Sequence, residues 1–254
     1  MGEYINVSEA GHIVELMINR PERKNALNLA MYQALADEIK AAPDRGARVI
    51  LLYGAGDCFT SGNDLADFAS GSDLSSEDNP IARFIFALLY CPIPVVVSVH
   101  GVAVGIGTTL LMHSDLVYAD ENARLRLPFV NLGLCPEFAS SLVLPQLAGH
   151  VKAAEWLMLG DFFSANDALA VGLVNEVVDS PLAKARAQAE RLAKQPPAAL
   201  RQAKALMKAP GRSALEAVIH EEFKGFAEGL QGPEFAEAAA AFFEKRAPDF
   251  SSFK

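Results

Sequence analysis

Pro94-Val-Val-Val-Ser-Val-His-Gly-Val-Ala-Val-Gly-Ile-Gly107 joins a near-continuous β-branched run to a glycine loop, and an apolar segment then continues to about His113. Pro94–Val99 lacks the polar alternation of a half-exposed strand, so it fits a strand buried on both faces. The order strand, glycine turn, helix is repeated upstream. Val49–Tyr53 reads as a short buried strand followed by a glycine-rich loop from Gly54 to Gly62. Downstream, Asp115–Ala119 and Ala123–Leu127 predict two more strands. Tyr4–Ser8 and His12–Asn19 predict a hairpin turning at Ala10-Gly11. Asn28 is placed to cap a helix running to about Ala42, with Leu29, Tyr32, Leu35 and Ile39 at helical spacing. Gly71–Asn79 is polar and reads as a loop, and Pro80–Tyr90 reads as a helix. From Glu137 onward the pattern is mostly helical, with a short strand expected at Leu173–Val177. The alternation followed by a helical tail predicts an α/β core with an α-helical C-terminal portion.

Composition narrows the function classes. The chain has 254 residues, 51% of them hydrophobic, enough to bury a large core without disulfides. Its formal net charge of −9 argues against nucleic acid and anionic membranes as partners. Cys58, Cys91 and Cys135 are far apart and show no ligand spacing, which predicts reduced thiols in a cytoplasmic setting. No signal segment or membrane-spanning stretch is legible. None of His12, His100, His113, His150 and His220 falls in a metal-ligand pattern. His100, at a strand end, fits a satisfied structural residue. No Walker motif or GxSxG elbow is present, and Gly105-Ile-Gly107 lacks the third glycine of a dinucleotide loop. Ser140-Ser141 read as packing or capping residues.

Two glycine loops and one carboxylate remain as candidates for chemistry. Phe59-Thr-Ser-Gly-Asn-Asp-Leu65 and Gly101–Gly107 each follow a buried strand, where backbone N–H groups are free to bind an anion. Two such donors converging would form an oxyanion hole, each contributing about 3–4 kcal/mol in acyl chemistry. For either loop taken alone, glycines that only permit tight turns are the better explanation. Glu137, in Pro136-Glu137, has apolar neighbours in Phe129-Val-Asn-Leu-Gly-Leu-Cys-Pro136 and Phe138. Burial would raise its pKa toward neutrality and suit it to take and return a proton. A first-turn helix glutamate following proline is the competing reading. The apolar face of Pro233–Lys245 predicts an arm that covers a neighbouring subunit or its own active site.

In order along the chain, several segments resemble the enoyl-CoA hydratase/isomerase (crotonase) family, closest to its peroxisomal-type Δ3,Δ2-enoyl-CoA isomerase branch. They are Ile18-Asn-Arg-Pro-Glu-Arg-Lys-Asn-Ala-Leu27, Phe59–Leu65, Pro94–Gly107, Asp115-Leu-Val-Tyr-Ala119, Phe129–Glu137, Gly172-Leu-Val-Asn-Glu-Val177 and Phe242-Phe-Glu-Lys-Arg246. The resemblance implies a spiral of ββα repeats over residues 1–195. It also implies a C-terminal helical trimerisation region over 196–254, assembling as trimers or pairs of trimers. The substrate would be a coenzyme A thioester, with no cofactor beyond the coenzyme A that the substrate carries. Its carbonyl would sit between the backbone N–H groups of Asn63 and Ile106, beside Ser61, Gly62, Asp64, Leu65 and Gly105. Arg23, Lys24 and Ala26 would meet the nucleotide end. Phe129, Leu132 and Leu134 are candidates for the acyl pocket, although ordinary core packing explains them as well.

Departures from the family pattern narrow the expected activity. Hydratases of the family use two glutamates, and the matching positions here hold Thr109 and Phe129. Neither does acid–base work near neutral pH. Thr109 is therefore expected to be replaceable with little loss of rate. Glu137 matches the single carboxylate of the isomerase branch, which implies removal of a C2 proton and its return at C4. An epoxyacyl-CoA ring isomerase, a 2-enoyl-CoA hydratase and a silent acyl-CoA binder are the alternatives.

Overall fold

The computed structural model describes residues 4–64 and 78–253. Strands β1 (Ile5–Ala10) and β2 (Ile13–Ile18) form the expected hairpin, with its turn at Gly11-His12. The helix α1 (Leu29–Ala41) starts where Asn28 predicts, and the Asn28 side chain accepts from Met31 N at 2.9 Å. Strand β3 (Val49–Gly54), helix α2 (Pro80–Leu89) and strand β4 (Val95–Val99) also match their expected segments. Most of the expected polar loop at Gly71–Asn79 lies outside the described residues, as does Leu65.

Beyond β4 the chain makes a closer turn than its sequence suggests. Only His100 and Gly101 separate β4 from β5 (Val102–Val104). Gly101 has φ +59, and a Cβ there would lie 2.2 Å from Asp57 O, so glycine is required. The expected apolar helix to His113 is instead a four-residue helix, α3 (Ile106–Thr109), tightening into a 3₁₀ turn over Leu110–His113. Strands β6 (Leu116–Ala119) and β7 (Arg124–Arg126) follow.

Strands β1, β2, β3, β4 and β6 form the main sheet in that order, and β9 (Glu176–Val177) completes its edge beside β6. Only the hairpin pair is antiparallel. A second layer pairs β5 with β7 in parallel and β7 with β8 (Phe163–Ser164) antiparallel. Single parallel bridges, Leu27 to Asn63 and Thr60 to Ala103, extend that layer. Successive turns of the chain thus place one segment in each layer, which is the spiral expected from the resemblance.

The C-terminal half is helical, as the sequence predicts: α4 (Ser140–Ala148), α5 (His150–Ala154), α6 (Ala165–Ala170), α7 (Pro181–Ala193), α8 (Pro197–Lys208), α9 (Arg212–Leu230) and α10 (Pro233–Glu244). Helix α7 lays Ala185, Ala189 and Ala193 against Val49, Leu51 and Val96 on one face of the main sheet. Ile50, Leu52, Val95 and Val97 face the larger core on the other side. This double burial accounts for the absence of polar alternation in β3 and β4. Among the described residues no helix is long and apolar enough to cross a membrane. The three cysteines are free.

Candidate active site

The polar loop after β2 is built on Asn25. Its side chain is fully buried, and Nδ2 donates to Ala55 O at 2.7 Å and Cys58 O at 2.8 Å. Thr60 Oγ1 donates to Asn25 O at 2.7 Å, and Leu27 N donates to Gly62 O at 2.8 Å. These bonds place Asn63 beside Leu27. Gly62 has φ +93, and a Cβ on it would lie 2.7 Å from Val104 O, so glycine lets the two loops touch. The contact brings Asn63 and Ile106 into one neighbourhood. Among the described residues, neither the Asn63 nor the Ile106 amide N–H donates within the fold. Ile106 is the first residue of α3, where an unpaired N–H is expected.

A cavity of about 440 Å³ opens beside these amides. Ser61, Gly62, Asn63, Asp64 and Gly105 form one wall, and Phe129, Leu132 and Leu134 form another. Arg23 and Ala26 stand at its edge, together with Phe242 and Phe243 near the end of α10. The C-terminal arm therefore lies over its own chain's cavity. Asp64 is not a free carboxylate: Arg20 Nη1 contacts it at 2.7 Å and also donates to Ala26 O at 3.1 Å. Lys24 does not line the cavity. Its ammonium pairs with Asp57 at the surface.

Glu137 is not in the first turn of a helix. Phe138 and Ala139 both adopt left-handed conformations with φ 54, and α4 begins only at Ser140. The competing reading of Glu137 as an ordinary helix-start residue thus fails on geometry. Its side chain is 5% exposed and does not line the open cavity, nor does Ile106. Short links join it to the cavity wall. Thr109 N donates to Gly105 O at 2.9 Å, and Thr109 Oγ1 donates to the Glu137 carboxylate. Tyr32 donates to Asn63 Oδ1, and burial, helped by the Glu137 charge, pushes the Tyr32 hydroxyl pKa well up. Burial pushes the Glu137 carboxyl up to about 8, against the opposing pull of the Thr109 hydroxyl, and nearby Glu222 raises it further. A carboxylate so placed exchanges a proton near neutral pH.

Thr109 therefore holds the Glu137 carboxylate directly, a contact the sequence does not show. Phe129, 4% exposed, brings no second acid. Tyr32 and Glu222 were not legible as site residues. The available signal for Glu222 was an acidic residue on the buried stripe Ile219, Glu222, Phe223, Phe226 of α9. Ser140 and Ser141 do not cap α4, whose N-cap is Ala139 with no side-chain bond: Ser140 Oγ donates to Glu137 O at 2.7 Å and Ser141 Oγ to Glu222 at 2.5 Å. His100 Nε2 lies 3.0 Å from Gly56 O, a structural contact. Among the described residues no cluster of His, Cys, Asp and Glu could hold a metal.

The profile of the Enoyl-CoA hydratase/isomerase family matches residues 8–253. The chain belongs to that family. A crystal structure described as an enoyl-CoA hydratase/isomerase from Pseudoalteromonas atlantica T6c superposes with a TM-score of 0.92. It is 42% identical, over 98% of this chain and 100% of that one. Human Enoyl-CoA delta isomerase 2 is 37% identical over 228 residues, 87% of this chain. The match spans 58% of the length of that relative. The 1,2-epoxyphenylacetyl-CoA isomerase of Escherichia coli is 33% identical over 99% of both chains.

Proposed function

We propose that the protein is an acyl-CoA isomerase that moves the double bond of 3-enoyl-CoA thioesters to the trans-2 position. The observation that carries this reading is Glu137: one buried carboxylate near neutral pKa, with Thr109 and Phe129 where a hydratase would place two further acids. The Asn63 and Ile106 N–H groups receive the thioester oxygen. Their hydrogen bonds lower the cost of the negative charge that develops there when a C2 proton leaves. The ionised Glu137 takes that proton, whose acidity comes from the carbonyl and the β,γ double bond. The dienolate then recovers the proton at C4 from the same carboxyl, so the enzyme ends unchanged. Phe129, Leu132 and Leu134 supply the apolar wall for the acyl chain. Arg23, beside Phe242 and Phe243, meets the anionic nucleotide end. Assembly as trimers or pairs of trimers, and a cytoplasmic site of action, belong to the same proposal.

Water addition needs a group that positions the water and a second group that protonates C2, and the other buried glutamate, Glu222, is turned to Ala139 and Ser141 and does not line the cavity. The full-length likeness to the epoxyphenylacetyl-CoA isomerase supports a second reading, ring isomerisation of an aryl-epoxyacyl thioester. A turnover screen separates the readings: 3-hexenoyl-CoA, 2-hexenoyl-CoA and an aryl-epoxyacyl-CoA, each with the Glu137→Gln variant as control. Fast conversion of the 3-enoyl thioester alone supports the proposal. Hydration of the 2-enoyl thioester at a comparable rate overturns it.

A further inference from the structure

Glu222 is the second buried glutamate of the site and stands on α9, more than eighty residues from Glu137 in sequence. Its Oε2 accepts from Ala139 N at 2.5 Å, and its Oε1 accepts from Ser141 N at 3.1 Å and Ser141 Oγ at 2.5 Å. All three donors belong to the residues that follow Glu137 and carry its left-handed turn. That turn has few other supports. Ser140 N and Oγ bond Glu137 O at 3.1 and 2.7 Å. His113, whose pKa burial lowers to about 3, is neutral and donates from Nε2 to Phe138 O at 2.6 Å. Its ring stacks on Phe138 with centroids 3.9 Å apart. Left-handed backbone at a non-glycine residue costs about 1–2 kcal/mol, so two in succession persist only where other contacts impose them.

We propose, on the basis of the isomerase reading, that Glu222 is the positioning residue of this site, holding from the C-terminal helices the 138–141 turn that aims Glu137. It does not touch the reacting atoms. Burial raises the pKa of Glu222 itself, against the pull of the Ser141 and Ala139 donors, and once ionised its charge disfavours ionisation of Glu137. The other groups facing Glu137 are Tyr32 from α1, Thr109 from α3 and Cys135 from its own segment. Neither Tyr32, raised well above its usual value, nor Cys135, raised to about 11, ionises in the pH range where Glu137 titrates. Glu222 is therefore the neighbour whose charge shapes that titration.

The test titrates Glu137 in protein carrying carboxyl-¹³C glutamate, with its resonance assigned by the Glu137→Gln variant. In Glu222→Gln the amide oxygen can still accept from Ser141, while the amide nitrogen faces Ala139 N–H and the charge is gone. The Glu137 midpoint is expected to fall by about one pH unit, and kcat on 3-hexenoyl-CoA to drop roughly tenfold with KM nearly unchanged. An unchanged midpoint in the folded variant overturns the proposal, as does a matched loss of kcat and of folded fraction. Should Glu222→Gln fail to fold, Ser141→Ala removes one donor at an exposed residue. It should lower kcat several-fold at constant KM, and an unchanged kcat overturns the proposal. Absence of 3-enoyl turnover by the wild type would sink the isomerase reading alone, since the carboxyl titration needs no turnover.

Discussion

Two turns flank the site with the same unusual backbone, Lys24-Asn25 at φ 52 and 55 and Phe138-Ala139 at φ 54 and 54. The first carries its own anchoring residue, Asn25. Asn is among the few residues that tolerate the left-handed region, and its amide bonds the carbonyls of Ala55 and Cys58 in the neighbouring loop. The second has no such residue. Phe and Ala gain nothing from that conformation, and the anchor is a carboxylate brought in by a distant helix. The first turn sets the Asn63 wall of the cavity, and the second sets the acid. A turn that supplies its own anchor needs one suitable residue, whereas a turn of Phe and Ala needs a partner from elsewhere in the fold.

The largest stability effect should come from breaking the local anchor. Asn25→Ala strands two buried carbonyls and removes the residue best suited to the turn. It should cost about 3–5 kcal/mol and lower the melting temperature by roughly 10 °C. A melting temperature within two degrees of wild type would show that the first turn is held by something else.

The acid set by the second turn makes a pH-dependent contribution of definite sign. The folded pKa of Glu137, about 8, lies above its unfolded value of 4.5. The stability this group contributes is complete below the unfolded value and is lost as pH rises through about 8. Glu137→Gln stays neutral throughout, so its stability relative to wild type should rise between pH 5 and pH 8, by on the order of 1.4 kcal/mol per unit at most. A difference that is flat with pH, by denaturant titration at both values, would contradict the assigned burial. Thr109→Val removes the one hydroxyl that favours the ionised form. The basic shift should cut kcat/KM about tenfold at pH 7, with recovery above pH 9. A loss equal at all pH values would assign Thr109 a role other than tuning the acid. The smallest effect is expected from Ala139→Gly, which relieves the strain of the second turn but loosens the unfolded chain. Its stability should stay within about 1 kcal/mol of wild type. A larger loss would mean that the buried Ala139 methyl, rather than Glu222, holds the turn.

Much of the architecture is local and was therefore legible. The β-branched runs at Val49 and Val95 become strands because both faces are covered, by α7 on one side and the main core on the other. Asn28 caps α1 through a contact three residues away. The glycines at 62 and 101 follow from close approach of backbone to backbone. What escaped sequence reading depends on partners far along the chain. The short β5 follows from pairing with β7, about twenty residues on. Lys24 looks like a ligand cation in sequence, yet Asp57, from another loop, takes its charge. Glu137 was marked by its apolar neighbours, but its non-helical geometry depends on Glu222, which reads as one acid among several in His220-Glu-Glu-Phe223.

In the proposed reaction one carboxylate carries the proton both ways. Steady-state conversion of 3-hexenoyl-CoA by wild type and Glu137→Gln across pH 6–9 tests that most directly. Wild-type kcat/KM should rise with pH to a midpoint near 8, where the free carboxyl ionises, with about a tenth of the enzyme in the basic form at pH 7. Glu137→Gln should lose at least about a hundredfold in kcat at every pH while still binding the thioester. A variant that keeps most of its kcat, or a wild-type profile flat across that range, would contradict the account.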